Sequence, residues 1–155
     1  MEKAIALSEA TGSFQRNAPA IGVFVAGDPR IDAASRQRCQ NICQMVADVP
    51  AARVKLPDGS PAKVVWAPIL VDGEAQADIV AKQFQDAGVK ALVCAPDTWA
   101  FPQLSVISLL SQFPADTPIN FTCGNSGQKP GVVFAHAVNG AIMQYGRPTP
   151  ASTRR

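Results

Sequence analysis

The sequence predicts an α/β fold, a doubly wound (flavodoxin-like or Rossmann-like) parallel sheet of four strands, or five, with helices on both faces. Short apolar runs, typical of strands buried on both faces, alternate four times with segments of helical periodicity. Each of these segments is long enough to carry a right-handed helical crossover between parallel strands. The length, 155 residues, suits one domain.

The first strand is predicted at 21–26, a continuous apolar run. The first helix is predicted at 31–48, and Asp32 or Asp28 is placed to cap its start. The apolar residues available for one face of this helix are Ile31, Ala34, Ile42, Met45 and Val46.

A loop is predicted at 50–61, which contains three prolines and a turn-forming Asp-Gly pair. The second strand follows at 63–66, and the second helix at 72–87 is closed by Gly88. The apolar residues of this helix are Ile79, Val80 and Phe84.

The remaining elements are a strand at 89–95, a helix at 102–113, a strand at 118–123 and a helix at 131–145. We expect residues 1–19 to be an N-terminal arm, 20–148 to be the single domain and 149–155 to be a polar tail.

Charge and hydropathy narrow the classes of function. Charged residues make up 17% of the chain and the net charge is +2, which gives no support for a nucleic-acid or membrane-surface partner. No apolar segment is long enough to span a membrane, and the N-terminus does not resemble a signal peptide, so we expect a cytoplasmic protein. The four cysteines are then predicted to be reduced, buried hydrophobic residues: Cys39, Cys43, Cys94 and Cys123.

The charge is unevenly distributed. Only six of the 26 charged residues lie from Asp97 onward, and the third and fourth predicted helices contain no charged residue. Such a surface predicts an interface with other subunits or domains.

Ligands of open parallel sheets bind beyond the carboxyl ends of the strands, which selects four loops. Their polar and aromatic residues are Asp28, Arg30, Asp32, Asp72, Glu74, Asp97, Thr98, Trp99, Asn125, Ser126, Gln128 and Lys129. No glycine-rich dinucleotide fingerprint or Walker motif follows the first strand, so no cofactor is predicted on this chain.

The acids of these loops allow two interpretations. Asp28, Asp32, Asp72 and Asp97 together could hold a hard cation, whereas the first three could instead cap helices. The acid after the third strand is similar to that of receiver-type phosphoacceptor domains, but the lysine that such domains carry after a fifth strand is absent.

No catalytic residue is predicted. The single histidine, His136, lies in an apolar helical segment without an acidic neighbour, which favours a packed side chain over a general base. Trp99 follows a buried strand, where its ring could stack on a sugar or close the end of the core.

Three of these segments together resemble the N-terminal domain of the L-fucose isomerase family, which is related to the L-arabinose isomerases. The resemblance covers 20–148, and its segments are Ile21-Gly22-Val23 with Asp28-Pro29-Arg30-Ile31-Asp32, then Val93-Cys94-Ala95-Pro96-Asp97-Thr98-Trp99, then Gly124-Asn125-Ser126-Gly127-Gln128-Lys129-Pro130-Gly131-Val132-Val133. Where the family continues into a fifth strand, this chain ends in a proline-rich tail, which suggests a truncated product or an isolated domain.

The resemblance implies that the domain serves substrate recognition and oligomerisation in an aldose–ketose isomerase. In that family the manganese ligands lie in later domains, which no part of this sequence matches. No metal site is therefore predicted on this chain. It implies that Trp99 packs on the sugar and that Arg30 hydrogen-bonds to its hydroxyls. The other implied substrate-binding residues are Asn125, Gln128 and Asp97. The expected partners are a 6-deoxyhexose or pentose sugar and either further copies of the chain or catalytic domains.

Two alternatives stay open: a standalone sugar or small-molecule binding module of the same fold, and a receiver-like phosphoacceptor domain.

Overall fold

A computed structural model of the chain describes residues 19–95, 100–122 and 131–144, with the backbone alone at 131–136. The strands are β1 Ala20–Phe24, β2 Lys63–Trp66, β3 Val89–Cys94 and β4 Ile119–Phe121. The helices are α1 Ala33–Arg53, α2 Glu74–Asp86, α3 (a π-helical segment Gln103–Ile107 that runs into an α-helical turn Ser108–Leu110) and α4 Gly131–Gln144.

The four strands form one parallel sheet in the order β2-β1-β3-β4, which confirms the predicted fold class. Gly22 pairs with Val65 of β2 on one side and with Leu92 of β3 on the other, so β1 is central. The chain moves outward from β1 to β2 and then returns past β1 to β3. The order therefore reverses between β1 and β3, which is the place where open α/β sheets bind their ligands.

Helices cover both faces of the sheet, as predicted. On one face α1 packs on Val23 and Val25 of the first strand run. On the other face a larger core contains buried residues from α2, α3 and α4 together with Phe24, Leu92 and Ile119 of the sheet. The apolar side chains of the charge-poor third and fourth helices therefore contribute directly to this core.

The predicted apolar face of α1 was only partly correct, because Ile31, Ile42 and Val46 pack against the core beneath this helix but are only partly buried. The buried residues of this helix are Ser35, Cys39, Cys43 and Ala47, whereas Met45 is 67% exposed and Ala34 is also exposed. The buried stripe is made of small side chains, which let the helix lie close to the sheet. In α2, Val80 and Phe84 are buried as predicted, but Ile79 is 60% exposed.

The first helix also continues beyond its predicted end. Pro50 lies inside α1, and the last turn is closed by the Val54 N–H, which donates to the Pro50 carbonyl at 2.9 Å. A proline so close to the end of a helix removes one hydrogen bond without preventing the turn that follows it. The loop predicted from residue 50 thus begins at Val54.

Two predicted turns are confirmed. Gly59 and Gly88 have φ of 82° and 76°, the left-handed region that glycine adopts without strain. No helix in the described ranges has the length and hydropathy of a membrane span.

Candidate functional site

The candidate site lies at the carboxyl edge of the sheet, where the chain leaves β1 and β2 side by side. Ala26 bridges to Val71, and the Gly27 N–H donates to the Val71 carbonyl at 3.0 Å. Asp28 and Asp72 follow this pairing in the chain, so they lie at the ends of two neighbouring strands. Both carboxylates belong to residues that are less than a tenth exposed.

Asp28 holds the side chain of Arg30 through both of its carboxyl oxygens. Arg30 Nε donates to Asp28 Oδ1 at 2.9 Å and Arg30 Nη2 donates to Oδ2 at 2.5 Å, while the Arg30 backbone N–H donates to Oδ1 at 2.9 Å. The hydrogen bonds from the guanidinium lower the pKa of Asp28 from 3.8 to about 2. Asp28 is therefore ionised at neutral pH, and the pKa of Arg30 is raised in turn by the same pairing.

The two partners differ in exposure. The Asp28 side chain is 9% exposed, whereas that of Arg30 is 72% exposed. The pairing uses two of the five N–H donors of the guanidinium, and Asp28 is the only acceptor of this side chain within the described ranges. A buried carboxylate thus anchors an exposed donor group.

Arg30 also contacts the loop that follows β3. Its guanidinium carbon lies 5.4 Å from the centre of the Phe101 ring, a cation–π distance. Phe101 is held in turn by its backbone, because its carbonyl accepts from the Ser105 hydroxyl at 2.8 Å at the start of α3. Since Arg30 follows β1 and Phe101 follows β3, their contact spans the reversal point of the strand order.

A second arginine connects the first two loops. Arg36 of α1 donates from Nη1 to Asp72 Oδ2 at 2.6 Å and from Nη2 to the Pro29 carbonyl at 3.4 Å. This arginine ties the loop after β1 to the strand end after β2, and it supplies a positive charge for the buried Asp72.

The predicted helix caps were correct for one aspartate of three. Asp32 caps α1, and its Oδ1 accepts from the Ser35 N–H at 2.7 Å. Asp28 pairs with Arg30 instead, and Asp72 pairs with Arg36, so the N-cap position of α2 is taken by Gly73 without a side-chain hydrogen bond. Among the described residues, the ends of β1 and β2 thus provide two compensated ion pairs, not a cluster of unpaired carboxylates.

These ion pairs determine whether the described residues could hold the manganese ion that the resemblance implies for the complete family. Asp28 and Asp72 each face an arginine, and the described ranges contain no group of three or more histidine, cysteine or acidic side chains able to hold a metal ion. The described residues therefore do not fit that ion.

The cysteines of the described ranges are buried thiols. Burial raises the pKa of Cys43 to about 12 and raises that of Cys94 further. Such thiols are neutral at physiological pH and poor nucleophiles. Cys123 lies outside the described residues.

Of the predicted substrate-binding residues, only Arg30 lies within the described ranges. Trp99, Asp97, Asn125 and Gln128 lie outside them, as does the side chain of His136. Phe101 and Arg36 belong to the site and were missed as candidates. Phe101 carried a signal, because an aromatic residue between a strand end and a helix start lies at the carboxyl edge, whereas Arg36 looks like any exposed helix arginine.

Residues 18–152 match the family model of L-fucose isomerase, first N-terminal domain. A search of curated proteins finds no match. The model covers most of the chain, including every strand and helix described above, and the resemblance drawn from the loop segments is confirmed: the chain belongs to the L-fucose isomerase family as its first N-terminal domain.

Proposed function

We propose that this domain recognises a sugar and takes part in assembly within an aldose–ketose isomerase, without catalytic activity of its own. The observation that carries the proposal is the placement of Arg30. Its exposed guanidinium lies at the reversal point of the sheet, between a buried carboxylate and an aromatic ring. Hydroxyl groups of a sugar accept hydrogen bonds from such a donor, and the apolar C–H face of a sugar packs on aromatic rings.

Trp99 fits this proposal by its place in the sequence, two residues before Phe101 and in the same strand-end loop. The roles proposed for Trp99, Asp97, Asn125 and Gln128 rest on the family resemblance. The proposal for Arg30 rests on both the resemblance and the geometry.

The binding expected of this chain alone is weak. A pocket for a small ligand encloses most of the surface of that ligand, whereas Arg30 and Phe101, the candidate contacts among the described residues, are both exposed. Further contacts from a neighbouring subunit or domain would complete the enclosure, which is the assembly part of the proposal.

The test is a titration of the ¹⁵N-labelled chain with L-fucose and, separately, with L-arabinose, followed through the Arg30 Nε–Hε cross-peak. We expect that peak to shift with a dissociation constant weaker than millimolar, and Arg30→Ala to abolish the shifts of the neighbouring backbone amides. Arg53→Ala, which removes an exposed arginine at the far end of α1, should leave them unchanged. Shifts spread evenly over the chain, or none near Arg30, would contradict the proposal.

The same titration distinguishes the proposed function from its main alternative. Millimolar or tighter binding by the chain alone would indicate a standalone sugar-binding module. The receiver-like alternative loses support, because Asp28 and Asp72, two of the acids it needs at the cation site, are engaged by arginines.

A further inference from the structure

We propose that Asp28 is a positioning residue that fixes the direction of the Arg30 guanidinium and cancels its charge, so that the site selects neutral hydroxyl ligands over anions. The identity of the ligand rests on the proposed function. The role of Asp28 rests on the geometry of the ion pair.

The positioning part of the proposal follows from the number of contacts that hold the Arg30 guanidinium. Asp28 accepts from the Nε, Nη2 and backbone N–H groups of Arg30, and the guanidinium carbon lies 5.4 Å from the centre of the Phe101 ring. An exposed arginine side chain normally samples many rotamers, and part of this freedom is lost when it binds a ligand. Here the bonds to Asp28 have already fixed the guanidinium, so a ligand meets an oriented donor.

The charge part follows from the exposure of the two partners. A lone exposed guanidinium is a strong site for phosphate or carboxylate, which it binds through two parallel hydrogen bonds. Arg30 already makes such a paired contact with Asp28, and Arg36 donates to Asp72 beside it. In the described part of the carboxyl edge both arginines are thus paired with aspartates, and Asp32 and Glu74 of the same loops add negative charge, so there is no excess positive charge to attract an anion.

Removal of the Asp28 charge should convert Arg30 into an anion site. We expect Asp28→Asn to tighten the binding of inorganic phosphate at least about tenfold at constant ionic strength, a change equivalent to about 1.4 kcal/mol. The binding is followed by the Arg30 Nε–Hε cross-peak. The matched control is Asp58→Asn, which removes the same charge from an exposed loop acid that bonds only within its own turn to Ser60.

If the role of Asp28 were merely structural, Asp28→Asn would not tighten the binding of phosphate. If Asp28→Asn binds phosphate no better than the wild type, or if Asp58→Asn gains as much, the charge part is overturned. Asp28→Glu keeps the charge on a longer side chain, so it should continue to exclude phosphate even where Asp28→Asn fails to fold. Phosphate binding by a folded Asp28→Glu variant would equally contradict the proposal.

The positioning part is tested on the wild-type protein without ligand. The Arg30 Nε–Hε proton should exchange with water more slowly than that of exposed Arg53, and equal exchange rates would overturn this part. If L-fucose fails to bind while Asp28→Asn gains phosphate affinity, the proposed function is wrong and the role of Asp28 is supported. If L-fucose binds and neither Asp28 expectation is met, only the present inference is wrong.

Discussion

Three aspartates near the ends of β1 and β2 have three different partners. Asp32 caps the helix that starts beside it, and Asp28 binds an arginine two residues away. Both interactions are local, and the cap was predictable because Asp32 directly precedes a helical segment. The partner of Asp72 is Arg36, which is 36 residues distant in the chain, so only the pairing of β1 with β2 brings the two together.

The Asp28–Arg30 pair predicts a specific pH dependence of stability. The pKa of Asp28 is lowered to about 2 in the folded chain, whereas an unfolded aspartate titrates near 3.8. A lowered pKa means that the folded state holds this proton less tightly, so the contribution of Asp28 is present above about pH 4 and is lost as the pH falls from about 4 to about 2.

The measurement is the urea midpoint of the wild type and of Asp28→Asn at several pH values from 7 to 2. We expect the wild-type midpoint to fall more steeply than that of the variant in the acid part of the range, so that the two curves converge near pH 2. Curves that stay parallel would show that Asp28 does not contribute through its ionised form.

At the scale of secondary-structure elements, the sequence predicted the order and type of every strand and helix, and it was less successful at the faces they bury. Apolar runs and turn residues are local signals, and they placed β2 at its observed residues. The buried face of α1 was only partly predicted: Cys39 and Cys43 were expected to be buried, whereas Ser35 and Ala47 are small residues that a hydropathy pattern does not distinguish from a solvated face. The close approach of this helix to the sheet requires small residues, and that distance is a tertiary property.

The packing of α2 against β1 shows a similar constraint at Gly22. A Cβ atom at this position would lie 2.7 Å from Cδ2 of Phe84 and 3.0 Å from Cγ1 of Val89. We predict that Gly22→Ala destabilises the chain by about 1–3 kcal/mol, the usual cost of overpacking a core, measured by urea unfolding.

The cause is tested by a double-mutant cycle with Phe84→Leu, which removes the ring that the new methyl group would meet. The two substitutions should be less destabilising together than the sum of their separate effects. Additive effects would mean that the ring is not the obstacle. Gly59→Ala is a contrasting substitution, because its Cβ would lie in open space and its cost would come from the positive φ alone.

At the scale of the whole molecule, the scarcity of charge after Asp97 has a partly internal cause. Residues of α3 and α4 such as Val106, Leu109 and Ile142 are fully buried in the larger core, so these helices need few charges. The remaining apolar exposure includes Leu104 and Met143. An interface on these helices, expected from composition, stays a prediction.

The final prediction concerns catalysis by the whole chain. We expect that this chain alone does not interconvert an aldose and a ketose. In the described ranges the buried carboxylates at the carboxyl edge are engaged by arginines, and no group of three or more histidine, cysteine or acidic side chains could hold a metal ion. The purified chain incubated with Mn²⁺ and L-fucose should therefore form no more ketose than a chain-free control, as measured by a colorimetric ketose assay. Arg30→Ala serves as the matched variant, because a trace of co-purified host isomerase would give the same ketose with both proteins. Turnover that follows the wild-type chain through size exclusion and is lost in Arg30→Ala would show that the domain has catalytic activity, and the proposal of a recognition domain would then be wrong.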